Sequence, residues 1–377
     1  MAEIRVVSYA PTEDQDLIRS TARRFLQQRV PLERVRELMM SDDGFDRLLW
    51  KEIADLGWTG LAVPEEHGGA GLGPVEMSVL LEEMGRMLTP GPFFASVVMA
   101  TNAIATIATP EQRAELLPAL AAGEKVATMA VFETPRGWDP AAPSTTAKPH
   151  SRGWALAGEK RFVLDGHLAD YLLVTATTPE GLGVFVVDAG ADGVEIVQTN
   201  VLDPTRRQAT LSLKGVVVDN GSRLGDGDAT DGVRRTLALA TAALASEQVG
   251  GAQRCMELSV EYARTRHQFG RPIGSFQAIK HRCANMLMKV ESARSAAYHV
   301  ARVTDDAAEF RVAAPLASSI CSEAYMWVAG ETIQVHGGIG FTWEHDAHLY
   351  LKRAKSSSLL LGSPHYQRDL LGQAIGI

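Results

Sequence analysis

Tyr262–Ala278 reads YARTRHQFGRPIGSFQA, and the second half of the chain is organised around it. Gly270, Pro272 and Gly274 break any helix that enters the stretch, because proline lacks the backbone donor and glycine loosens the backbone. On its N-terminal side an Ala-rich helical pattern runs from about Val233 to Thr265. A second runs from about Phe276 to Thr304, a third from about Glu309 to Val335, and a shorter one follows Glu344. Long helices need partners of similar length to bury their apolar stripes, so residues 229–377 are expected to form an antiparallel four-helix bundle.

Further towards the N-terminus, over residues 124–228, the texture changes to short β-branched runs. These are Val126–Phe132, Tyr171–Ala176, Val184–Val187, Val194–Val197 and Ala209–Val218, separated by Gly, Asp and Pro clusters. No helix-length periodic segment interrupts them, which predicts an antiparallel sandwich or barrel and excludes a doubly wound parallel sheet. Residues 1–123 return to helical spacing. Thr12 and Gln15 form a possible capping box ahead of Ile18, Ala22, Phe25 and Leu26; Leu49, Ile53 and Leu56 follow, then Val79, Leu80, Met84 and Met87. The fold class is therefore α+β multidomain: helical domain, middle β domain, helix bundle.

With 377 residues the chain exceeds a single core. The 37 Lys and Arg against 45 Asp and Glu, with no basic block, exclude a nucleic-acid partner. No window supplies about 18 uninterrupted apolar residues, so no membrane span is expected. Met1–Gln15 lacks the positive and apolar segments of a secretory leader. Cys255, Cys283 and Cys321 stand apart and read as small buried hydrophobes of a reducing compartment, and a cytoplasmic protein is expected. His267, His336, His345 and His348 have no acidic ligands to complete a metal set, so none is assigned.

Within the opening stretch, Arg266 offers a planar cation suited to a pyrophosphate and Gln277 an amide suited to a nucleotide edge; a solvated charge complementing a helix end is the alternative for Arg266. Gln334–Glu344 reads QVHGGIGFTWE, in which Gly337, Gly338 and Gly340 permit close backbone approach. In the helical domain, Leu56–Gly71 reads LGWTGLAVPEEHGGAG and Leu80–Phe93 reads LLEEMGRMLTPGPF. Together these stretches resemble the acyl-CoA dehydrogenase flavoprotein family over essentially the whole chain. The resemblance extends to actinobacterial-type chains that lack the usual catalytic Glu.

That resemblance implies FAD as cofactor. It also implies removal of an α-proton from an acyl-CoA by a carboxylate and loss of the β-hydrogen as hydride to the flavin, giving a trans-2-enoyl-CoA, with electrons passed to an electron-transfer flavoprotein. The family's FAD contacts carry over to Arg266, Gln268, Phe269, Phe276, Gln277, Gln334, Gly337 and Gly338. The family loop T-E-P-x-A-G-S-D corresponds to Phe132, Glu133, Thr134, Pro135, Arg136, Gly137, Trp138 and Asp139. The strand W-I-T/S that covers the flavin corresponds to Phe162, Val163 and Leu164, followed by Asp165 and Gly166. Two hydroxyls that address the flavin in the family are thus missing.

The base is missing too. Counting through the stretch Lys352–Ser363 places Leu361 where the family's Y-E-G-T Glu stands. The alternative location, 26 residues before Arg266, holds Ala240, and Thr241 stands where some relatives place a CoA-binding Arg. Glu247 shares Ala240's helix face but lies about 10 Å further along the axis, and is kept as a candidate beside the bland reading of a bundle Glu paired with an Arg. Three readings stay open. One is a dehydrogenase acting alone, as a homodimer or homotetramer, or in a heterotetramer with a Glu-bearing homologue. Another is a non-catalytic subunit completing a partner's FAD site, and the third an oxidase or monooxygenase on the same scaffold.

Overall fold

The computed structural model describes residues 11–133, 140 and 142–377. The N-terminal region comprises α1 (Glu13–Arg29), α2 (Leu32–Met40), α3 (Arg47–Asp55), α4 (Pro74–Arg86), a π-helical turn (Phe94–Ala100) running into α5 (Thr101–Ile107), and α6 (Pro110–Ala121). The capping box at the start of α1 is formed: Thr12 Oγ1 accepts from the Gln15 amide at 3.2 Å and Gln15 Oε1 from the Thr12 amide at 3.1 Å. Two orphan donors of the first turn are thereby satisfied. Ala22 and Leu26 then bury the inner stripe of α1.

The middle region holds β1 (Ala127–Ala130), β2 (Thr146–His150), β3 (Gly153–Leu164), β4 (Tyr171–Thr178), β5 (Gly181–Asp188), β6 (Val194–Thr199) and β7 (Gln208–Val218). They form one sheet of order β1-β4-β2-β3-β7-β6, with β5 paired to β4. The expectation of a wholly antiparallel sheet is corrected at β4, which runs parallel to β1 and, at one residue pair, to β2. β2 and most of β3 escaped the sequence reading because their solvent-side positions are occupied by Lys148, Glu159 and Arg161 rather than by β-branched residues.

The C-terminal region begins with α7 (Thr230–Thr265), about 54 Å long at 1.5 Å per residue. A small hairpin, β8 (His267–Gln268) with β9 (Arg271–Pro272), leads to α8 (Gln277–Arg302) and α9 (Ala307–His336). A 3₁₀ turn (Gly337–Phe341), α10 (Ala347–Leu360) and α11 (Pro364–Ile375) follow. α7, α8 and α9 pack on one another, and α10 and α11 both pack on α9. α4 crosses α7 so closely that a Cβ on Gly250 would lie 1.8 Å from the Glu82 carbonyl oxygen, and one on Gly85 2.0 Å from that of Glu247. One apolar core runs from α1 through β1 and β5 to α10, so the helical regions share an interior.

Candidate active site

Two surfaces carry the residues singled out from the sequence. The first is the end of the bundle where α7 stops. The Arg266 amide closes the helix on the Tyr262 carbonyl at 2.8 Å, and the chain turns through the hairpin with Phe269 at φ 53° and Gly270 at φ 79°. Phe269 is 91% exposed, and its ring meets Phe276 edge-on at 6.0 Å while the Arg271 guanidinium lies 4.2 Å from the Phe276 ring centre.

α9 ends on the same side. The Tyr262 ring stacks on His336, 74 residues further along the chain, at 4.4 Å and joins the two glycine-bearing motifs. Gly337 adopts φ 63°, and a Cβ on Gly337 or Gly338 would touch nothing within 4 Å. Packing within the chain therefore does not explain a glycine at 338. Arg266, Gln268, Gln277 and Gln334 are exposed, and their side chains form no hydrogen bond with other described residues. A guanidinium, three amides and an open backbone turn fit the pyrophosphate and nucleotide edge of a dinucleotide.

The histidines of these motifs are engaged locally. His336 Nδ1 lies 2.8 Å from the Thr332 carbonyl, the His345 ring 4.4 Å from that of His336, and His348 stacks on Trp343 at 5.0 Å. His267 Nδ1 lies 3.1 Å from the Thr265 carbonyl. Burial holds His336, His345 and His348 below the ordinary imidazole pKa.

The second surface is a cavity of about 620 Å³ between α7, the start of α9, and α11. Thr241 and Leu361 line it, as does Phe132 from the β region. The Phe132 carbonyl accepts from the Arg161 amide at 2.7 Å. Glu133 anchors this corner: its carboxylate takes the fully buried Lys160 ammonium at 2.7 Å and the Thr145 amide at 2.8 Å. Burial works against both charges. It lowers Lys160 to about 8, whereas at Glu133 burial is outweighed by the Lys160 charge and the hydrogen bonds from Lys160 and Thr145 together, and the carboxyl falls to about 2. Thr134–Asp139, the rest of the loop read from the sequence, lie outside the described residues.

Phe162 stands at φ 57° and is partly exposed. Val163 and Leu164 turn their side chains into the core, and the Leu164 carbonyl already accepts from Thr128 Oγ1 at 2.6 Å. Any contact these two residues make with a ligand is therefore through the backbone. Ala240 is fully buried and does not line the cavity. Leu361 does, with its carbonyl taken by Gln367 Nε2 at 2.7 Å. Among the described residues the lining contains neither carboxylate nor histidine, so none of those takes a proton at neutral pH.

Glu247 sits elsewhere, in a buried ion network. Its carboxylate accepts from both the Arg206 and the Arg353 guanidinium. Arg353, 2% exposed in its side chain, also donates to Asp203 Oδ2 at 2.6 Å and to Thr205. Burial alone would raise the Glu247 carboxyl, but Arg206 and Arg353 outweigh it and hold its pKa below the usual range. A carboxylate so held is a poor proton acceptor, and the bland reading of Glu247 as an Arg-paired bundle residue describes its geometry. Nothing in the sequence marked Arg206, Arg353 or Asp203, and Asp165 was marked only as the residue that follows the Phe162–Leu164 motif.

Helical, β and helical regions in that order, with a dinucleotide-suited turn at the bundle end, define the three-domain flavoprotein oxidoreductase class. Comparison with known proteins resolves the class further. Family models match "Acyl-CoA dehydrogenase, N-terminal domain" over residues 12–124, the middle domain over 128–216 and the C-terminal domain over 231–376. The acyl-CoA dehydrogenase IpdE2 of Mycolicibacterium smegmatis is 35% identical over 94% of this chain and 97% of its own length. Among solved structures, a variant of the Tcur3481-Tcur3483 steroid ACAD is 35% identical with a TM-score of 0.88, covering 96% of this chain and 98% of that one. The ChsE4-ChsE5 complex of Mycobacterium tuberculosis is 30% identical with a TM-score of 0.91, covering 98% and 99%. The chain belongs to the acyl-CoA dehydrogenase family, and FAD is its cofactor.

Proposed function

We propose that this chain is one subunit of a mixed acyl-CoA dehydrogenase assembly, most simply a heterotetramer with a Glu-bearing homologue, and that its bundle end completes an FAD site whose proton-accepting carboxylate belongs to that partner. The observation that carries this reading is a division of labour. The free donors Arg266, Gln277 and Gln334 gather with Gly337 and Gly338 on an exposed end, while the chain's own cavity presents Leu361 and, among its described lining residues, no base. Arg266 takes the pyrophosphate with charge-assisted hydrogen bonds, Gln277 and Gln334 address the nucleotide, and Gly338 lets the backbone approach closely. Phe269 and Phe276 shield that contact from water, and Phe162 with Phe132 provides the apolar cover for the ring. FAD, when bound, supplies the acceptor for the β-hydrogen of the acyl-CoA.

The reaction is then α,β-dehydrogenation of an acyl-CoA to its trans-2-enoyl thioester, with electrons leaving through an electron-transfer flavoprotein. Two similar structures are of two-component proteins, one of them a steroid ACAD, which supports a mixed assembly and a bulky steroid-derived acyl-CoA. A missing base costs about 10²- to 10⁴-fold in rate, so the chain by itself turns over little or nothing. The test is to prepare the chain alone and with a Glu-bearing homologue, then titrate each anaerobically with short, long and steroid-type acyl-CoA. Flavin bleaching is expected only in the mixed preparation, and rapid bleaching by the chain alone would refute the reading. Arg266→Gln in the mixed preparation should weaken FAD retention about tenfold or more.

A further inference from the structure

The reading above gives no task to His336, His345 or His348, which flank the glycine turn. Residues 337–344 form a loop whose base is closed by the rings of His336, the last residue of α9, and His345, 4.4 Å apart. Hydrogen bonds fix a neutral tautomer for each ring. The Thr332 carbonyl can only accept, so His336 carries its proton on Nδ1. The Trp343 carbonyl, 3.3 Å from His348 Nε2, places that proton in the same way and leaves His348 Nδ1 buried without a partner. His345 is the reverse: its Nδ1 accepts from the Ala347 amide at 3.1 Å, so its proton sits on Nε2. That bond satisfies the first amide of α10. Asp346, at the N-cap position, makes no side-chain bond to the helix, and its carboxylate is taken by Arg36 of α2 at 2.9 Å. Ala347 is fully buried, so its amide has no water to turn to.

We propose that His336 and His345 are positioning residues for the flavin-binding turn, a clasp that is shut while both rings are neutral and opens when they are protonated. The proposal rests on the reading that Gly337 and Gly338 meet the dinucleotide, and it adds control of that contact by acid. A second proton on His345 can enter only at Nδ1. It removes the acceptor from the Ala347 amide and sets a cation at the N-terminus of α10, where the helix dipole opposes it. A second proton on His336 faces the His345 ring across 4.4 Å. The neighbouring groups weigh the same way. Tyr262, which α7 stacks on His336, is uncharged at neutral pH. Arg36 acts as a cation on His345 and His348, and Lys352 on His348, while Asp346, the anion beside them, is paired with Arg36. Burial adds to this and holds all three imidazoles below their ordinary value. The closed turn therefore binds fewer protons than the open one, so closure is complete above about pH 6.5 and weakens as pH falls below it.

Two measurements test the clasp, each made at about pH 7.5 and about pH 5.5, on either side of the ordinary imidazole value. In the isolated full chain, hydrogen exchange over residues 337–349, corrected for its intrinsic pH dependence, should be about tenfold faster or more at the lower pH, a factor of ten per pKa unit. In the mixed flavoprotein, FAD release followed by flavin fluorescence should accelerate by a similar factor. His345→Asn keeps an oxygen that can accept from the amide two residues on and does not titrate, so it should lose most of both acid effects. His336→Phe keeps a ring against Tyr262 with no site for a proton and should also reduce both, which covers the case of one variant failing to fold. Exchange in the isolated chain that ignores pH removes the clasp and leaves the shared-flavin reading standing. Acid effects undiminished in the folded variants overturn the clasp as well. Acid opening that the variants suppress, with FAD held equally at both pH values, refutes the role of this turn in holding flavin, and the proposal falls with it.

Discussion

Asp165 shows how charge balance, rather than proximity, fixes a residue's behaviour. It follows the Phe162–Leu164 strand at φ 47°, is 5% exposed, and faces Arg206, Arg353 and Arg207. Those guanidiniums would lower its pKa, yet burial prevails and raises the carboxyl to about 7. Arg206 and Arg353 are already matched by Glu247 and Asp203, so a third carboxylate finds little net positive charge left. The sign for stability follows. Between the ordinary carboxylate value and pH 7 the folded state holds a proton that the unfolded state has released, so this group's contribution to stability falls as pH rises and levels off above 7. Asp165→Asn should therefore be nearly neutral at pH 4 and stabilising at pH 8, by at most about 4 kcal/mol, as read from urea melts at the two pH values. Glu247 has the opposite sign: its depressed pKa contributes stability that is present above the ordinary value and lost as acid protonates it. Glu247→Gln leaves two buried guanidiniums short of a charge and should cost about 3–5 kcal/mol. Loss of flavin chemistry with unchanged stability would contradict this structural role.

At the scale of elements, the crossing of α4 and α7 depends on two glycines. In an exposed helix, Gly→Ala stabilises by about 0.5–1 kcal/mol. At 250 the added methyl would sit 1.8 Å from the Glu82 carbonyl oxygen, so one helix must retreat. Gly250→Ala should reverse the usual sign and destabilise by about 1–3 kcal/mol in chemical denaturation. A stabilised variant would show that the crossing is looser than this geometry. The long helices were legible in the sequence because an apolar stripe repeats locally every three or four residues. α11 and the short elements around Phe94 were not, because their burial is imposed by α9 and β1 rather than by a periodic pattern of their own. Likewise, nothing in Lys148 or Glu159 advertises a strand. β2 and β3 exist because each pairs with the other and β3 with β7.

For the whole molecule, the flavin end is an unfinished surface. Phe269 and Phe341, 91% and 81% exposed, stand near free polar donors, which is the composition of a surface that another chain covers. Phe269→Ser with Phe341→Ser should change the melting behaviour of the isolated chain little, within about 0.5 kcal/mol. In a mixed preparation the pair should reduce partner recovery and flavin absorbance together on gel filtration. Full retention of both would place the partner elsewhere. The interior points the other way, towards unity. Because one apolar core extends from α1 to α10, Trp50 and Trp58 near the N-terminus and the helix signal of the bundle should be lost in a single transition.

The sequence alone determined the family, the order of helical, β and helical regions, and the absence of a base at 361 and 240. Each of these is carried by contiguous motifs or by the identity of one residue at a counted position. It also named the donors Arg266, Gln277 and Gln334, since their motifs are local. Only the tertiary structure joined the two glycine motifs through Tyr262 and His336, buried Val163 and Leu164, and tied Glu247 to Arg206 and Arg353. Such pairings span up to 150 residues or so, as between Asp203 and Arg353. They come from packing the three regions on one another, which local periodicity does not encode.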